Sequence, residues 1–122
     1  MATNRTTRPR PHRWENLDDE ALLALRFRDL GLVLEDSLAR PALERLAGEL
    51  ERRNLRFRPH AWLAEEWFSP DGVPGIAIPF FVVHPRLRRL ERRCMGEVEG
   101  GSPHWMIRIL RHEAGHAIDA AY

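Results

Sequence analysis

Apolar residues recur along this chain at two periods, and the changes between them divide it into elements. Ala21, Leu22, Leu23, Leu25 and Phe27 follow the acid-rich turn Asn16-Leu17-Asp18-Asp19-Glu20. Carboxylates in a first turn oppose the helix dipole, so a helix is predicted here, ending at Gly31. Pro41 opens a second helix, with Leu43, Leu46, Ala47 and Leu50 at helical spacing and charges on the other face, and Asn54 ends it. Leu55-Arg56-Phe57-Arg58 alternates apolar and basic side chains, which predicts a strand. An aromatic cluster (Trp62, Trp67, Phe68) and the turn Ser69-Pro70-Asp71-Gly72 follow. The run from Gly75 to Val83 is apolar and partly β-branched and predicts a second strand. Pro79 favours an edge position for it, because proline cannot donate to a ladder. Such an open edge would suit an extended backbone from another molecule.

Pro85 to Arg93 predicts a short helix with Leu87 and Leu90 inward and its arginines in solvent. Gly96, Gly100 and Gly101 mark a loop. Ser102 and Pro103 supply a cap and a first turn for the last helix, which buries Met106, Ile107, Leu110, Ala114 and Ile118. Helices, then strands, then helices predict an α+β fold: N-terminal helices as structural cover, a small sheet of short strands with an exposed edge strand, and a C-terminal helix.

Composition narrows the class. At 122 residues, 43% hydrophobic and 30% charged, the chain is at most one globular domain. Residues 1–12 are basic, carry no acid and read as a flexible tail ahead of a domain spanning 13–122. The net charge of +1 gives no strong pull toward nucleic acid or membrane, and the tail lacks the interleaved aromatics of a nucleic-acid arm. Cys94 is the single cysteine, and the start has no apolar signal core. The expectation is a cytoplasmic, soluble protein with no membrane partner.

The last helix carries the chemistry. Arg111-His112-Glu113-Ala114-Gly115-His116-Ala117-Ile118-Asp119 contains His-Glu-x-x-His. Residues four apart lie one helical turn above each other, so His112 and His116 can present two imidazoles to one metal ion. Glu113 is then placed to take a proton from water at that metal. A chance match in a chain of this composition has a probability of roughly 0.03, and the helical setting with the small residues Ala114 and Gly115 adds to the signal. The expectation is Zn²⁺ as cofactor, peptide or protein as substrate, His112 and His116 as ligands and Glu113 as catalytic base.

The third ligand does not follow from the motif. At the positions where metzincins place Gly and a third His stand Asp119 and Tyr122. Asp119 lies three residues beyond His116, as a possible ligand or, better, an acceptor that orients an imidazole. His60, His84 and His104 read as loop or strand-end histidines.

Three stretches, Leu25 to Leu32, Glu66 to Gly75 and Ile109 to Tyr122, resemble the bacterial zinc-binding metallopeptidases of the gluzincin type. Gly115 and Asp119 are similar, more weakly, to lethal-factor-type peptidases. The resemblance covers residues 14–122 and implies zinc on His112 and His116, Glu113 as base, and a Glu ligand on a further helix. That helix is absent here, so the expectation is the N-terminal portion of a zincin, with weak zinc binding and low or no activity of its own. Two other readings compete: a non-catalytic interaction module acting through the basic tail and exposed tryptophans, and a DNA-associated SprT-like protease, which the small net charge disfavours.

Overall fold

The structure, a computed structural model, describes residues 12–121; apart from His12, the basic tail lies outside them. The described residues fall into two compact units that divide between Gly31 and Leu32.

In the first unit a 3-10 turn, Arg13–Asn16, leads into helix α1, Asp19–Leu23, which Asp18 caps by accepting from the Ala21 N–H at 2.8 Å. A second 3-10 turn, Phe27–Leu30, ends at Gly31, where φ is +60°. The continuous helix expected up to Gly31 is thus two short pieces. A new start forms at Arg26, whose N–H donates to Asp29 Oδ2. With Leu22 buried and Leu23, Leu25 and Phe27 exposed, little packing holds a longer helix together. Trp14 is the anchor, buried, donating from Nε1 to the Leu30 carbonyl at 2.9 Å and stacked on His12.

The second unit follows the predicted pattern more closely and is α+β. Helix α2, Arg40–Arg52, has Pro41 in its first turn, and Ser37 Oγ accepts from the Ala39 N–H just ahead of it. It ends where predicted: Asn54 takes a left-handed φ of +60°, and the Leu55 N–H closes back on the Leu50 carbonyl.

Strands β1, His60–Ala64, and β2, Gly75–Pro79, form a two-stranded parallel sheet, with His60 opposite Gly75 and Ala64 opposite Pro79. Residues 55–58, expected as a strand, have no ladder, and pairing begins after Pro59. β2 is shorter than the apolar run that predicted it. Pro79, lacking an N–H, ends the ladder at φ −60° and a 3-10 turn, Phe80–Val82, takes over.

Parallel neighbours usually need a long helical crossover. Here residues 65–74 suffice, because the chain first passes to the far side of β2. There Phe68 makes an antiparallel bridge to Ala77, with the Ala77 N–H donating to the Phe68 carbonyl at 2.8 Å. A turn at Gly72 (φ +74°) then feeds β2 between the two. Gly75 is obligatory in this arrangement. A Cβ there would collide with the Trp62 ring and lie 2.8 Å from the His60 carbonyl oxygen.

Helix α3, Pro85–Met95, is capped by His84 Nδ1, which accepts from the Arg86 N–H, and closed by Gly96 at φ +85°. Its arginines are not all solvated, contrary to the sequence expectation. Arg86 is buried, and Arg88 donates from Nε to the Val82 carbonyl (2.6 Å) and from Nη1 to the Gly101 carbonyl (3.0 Å). Arg88 thereby ties the end of the sheet to the loop before the last helix.

Helix α4, Pro103–Ala121, starts as predicted, with Ser102 Oγ accepting from the Trp105 N–H at 3.2 Å. Met106, Ile107, Leu110 and Ala114 join Leu46 and Leu50 of α2 and Ile76 and Ile78 of β2 in one core. Burying such side chains stabilises the fold by ~1.5–3 kcal/mol each, which fixes the roll of α4 and hence the direction of every other side chain on it. No helix among the described residues is long and apolar enough to cross a membrane.

Candidate metal centre

The roll of α4 sorts the motif residues. Positions 106, 110, 113 and 117 form one buried stripe, so Glu113 sits in line with Met106, Leu110 and Ala117, and is itself buried. His112 and His116 lie beside this stripe in solvent. Their Nε2 atoms are 3.2 Å apart, the rings crossing at 81°. Glu113 Oε1 is 3.9 Å from His112 Nε2. The ligand atoms of all three residues fall within 4.8 Å of one another.

The donor set fits zinc. With Zn–N bonds of about 2.05 Å, a tetrahedral angle separates two nitrogens by about 3.3 Å, close to the spacing of the two imidazoles. The same approach accommodates an N–H···N hydrogen bond between the rings, its direction set by their tautomers.

Other sequence candidates fall outside this group. Asp119 is exposed and is not among the clustered ligand atoms. His84 is spent on the α3 cap, and His60 stacks on Trp62 at 5.7 Å. His104 is exposed in the first turn of α4. Gly115 has nothing within 4 Å of where a Cβ would stand.

Two contacts set the frame around the motif. Arg111, the residue before His112, clasps Glu49 of α2 with two parallel bonds, Nε to Oε1 at 2.9 Å and Nη2 to Oε2 at 2.6 Å. That guanidinium, with Arg45 at 3.3 Å, holds the Glu49 carboxyl down at about 2, against an ordinary value of 4.5. On the other flank a groove of about 440 Å³ is lined by Trp67, Glu99, Trp105, Arg108, Ile109, His112 and Glu113. Trp67 is pinned there: its Nε1 donates to the Glu99 carbonyl at 3.0 Å, and a Cβ on Gly100 would come within 2.8 Å of its ring. A roomier cavity, about 590 Å³, opens elsewhere, between α2 and the start of β1, and none of the three clustered residues lines it.

The groove was not visible in the sequence. Trp67 belongs to the β1–β2 connection and meets α4 only through the crossing of that connection. Trp105 and Arg108 could have been anticipated, since they stand seven and four residues before His112 on the same helix. The tryptophans invoked for a partner surface are not exposed: Trp14 is buried, and Trp62, Trp67 and Trp105 are half-buried. Comparison with protein-family models, with curated proteins and with solved structures gave no match.

Proposed function

We propose that this chain takes part in zinc-dependent hydrolysis of peptide bonds, with His112 and His116 as metal ligands and Glu113 as general base. The observation that carries the reading is the 3.2 Å spacing of two exposed Nε2 atoms with a carboxylate beside them on one helix. Zinc, when bound, supplies a Lewis acid that polarises a carbonyl and acidifies water. Glu113 Oε1 takes the proton of the attacking water and returns it to the leaving amine. Its burial against the α4 core restricts its rotamers and holds the carboxylate at the groove, where a substrate carbonyl would lie. The Arg111–Glu49 clasp keeps the first turn of the motif in place against α2. Among the described residues the cluster supplies two imidazoles where zinc sites usually have three protein ligands, so weak zinc binding and low turnover are expected of this chain.

Titration of the purified chain with Zn²⁺ against a coloured chelator tests the ligand assignment. One equivalent of zinc is expected, lost in His112→Ala and in His116→Ala, and retained in Glu113→Gln. Whatever peptide hydrolysis the zinc-loaded chain shows is expected to fall ~10²-fold or more in Glu113→Gln. Zinc uptake that is unchanged when both histidines are replaced overturns the reading.

A further inference from the structure

We infer that the groove flanking Glu113 is a side-chain subsite that selects a residue with a planar aromatic side chain next to the bond being cut. This rests on the peptidase reading for what the groove serves, but its own evidence is separate. Two indoles, Trp67 and Trp105, line one groove of about 440 Å³ together with His112 and Glu113, so an occupant of that groove touches both of the motif residues. Trp67 is built as a fixed wall. Gly100, at φ +82°, leaves room for its ring where any Cβ would intrude, and the Glu99 carbonyl takes its only N–H. A donor already satisfied leaves Trp67 nothing but ring surface to offer a ligand. Trp105 is half-buried on the first turn of α4, and Ile109, one turn later, adds an apolar contact. The charged lining is Glu99, Arg108 and Glu113, two carboxylates against one guanidinium, so the groove disfavours an anionic side chain. Among uncharged side chains stacking and shape decide what binds, and an aromatic ring gains most from two indole faces.

The test uses the full chain without metal and two blocked tripeptides, acetyl-Ala-Phe-Ala-amide and acetyl-Ala-Ala-Ala-amide. Indole N–H signals of the four tryptophans, assigned by single Trp→Phe variants, are followed during titration. The Phe peptide is expected to bind about three- to tenfold tighter than the Ala peptide and to shift the Trp67 and Trp105 signals. Trp105→Ala is expected to abolish that preference. His116→Ala, which lies outside the groove lining, is expected to lose zinc and keep the preference, so failure of the metal reading and failure of the subsite are told apart. Equal affinity for the two peptides, or shifts confined to Trp14 and Trp62, overturns the subsite. Should Trp105→Ala unfold, Trp105→Leu serves in its place, keeping apolar bulk while removing the stacking surface.

Discussion

Gly100→Ala probes whether Trp67 is held where the groove needs it, and Gly96→Ala supplies the control. Both glycines have a left-handed backbone, at φ +82° and φ +85°. An alanine at either position bears the backbone penalty of ~1–2 kcal/mol. They differ in what the new methyl meets: nothing within 4 Å at Gly96, and three indole atoms of Trp67 at 2.8 to 3.2 Å at Gly100. Moving the indole also strains its bond to the Glu99 carbonyl, one residue away. Overpacking of this kind adds ~1–3 kcal/mol, so Gly100→Ala is expected to lower stability by ~2–5 kcal/mol against ~1–2 for Gly96→Ala. Urea unfolding followed by tryptophan fluorescence reads the difference. A cycle with Trp67→Ala isolates the cause: without the indole, Gly100→Ala should cost no more than Gly96→Ala, a coupling of ~1–3 kcal/mol. Equal losses for the two single variants, or no coupling to Trp67, would refute the claim that Gly100 is there to seat that ring.

Three further predictions follow from other parts of the second unit. Glu49 is held at about 2 by Arg111 and Arg45, below its ordinary 4.5, so its contribution to stability is complete above pH 4.5 and is lost as the pH falls toward 2. Because Arg111 is partly exposed and salt screens the pair, the amount is ~1 kcal/mol or less, and urea midpoints of Glu49→Gln should be flatter than wild type across that window. Gly115 is exposed, mid-helix and faces open space, so Gly115→Ala should raise stability by ~0.5–1 kcal/mol in the same unfolding assay. Leu110, fully buried between α2 and β2, should cost ~2–5 kcal/mol when cut to alanine, with a lower thermal midpoint as the readout.

Elements with local punctuation were legible. Pro41 and Asn54 bracket α2, and Ser102-Pro103 starts α4, because caps and left-handed ends act within a few residues of their own position. Elements fixed by partners were not. Leu55 to Arg58 has a strand's alternation, yet the ladder forms at His60–Ala64, where β2 lies opposite. Arg88 looked like a solvated charge and is instead a pair of donors for the Val82 and Gly101 carbonyls. The same division holds at the site. Spacing four along a helix brought His112 to His116, whereas the meeting of Trp67 with His112 depends on where a connection crosses the sheet. Glu113 falls between these cases: its neighbours in sequence suggested the role proposed for it, but its place in the buried stripe came from the packing.

That place lets the chemistry of Glu113 be separated from any structural duty. Met106, Leu110 and Ala117 share its stripe, and an apolar side chain of similar length would continue their contacts with the core. The exposed His112 ring lies 3.9 Å from the carboxylate, an exposed contact worth ~1 kcal/mol or less. Removing it and adding buried methyl surface should therefore leave Glu113→Leu as stable as wild type or more so, by up to ~1 kcal/mol. Zinc should still bind through the two histidines, while hydrolysis disappears. That outcome would show that the fold does not need the carboxylate, as the proposed role of Glu113 requires. A loss of more than ~1 kcal/mol in Glu113→Leu would reverse that conclusion and make the carboxylate part of the scaffold.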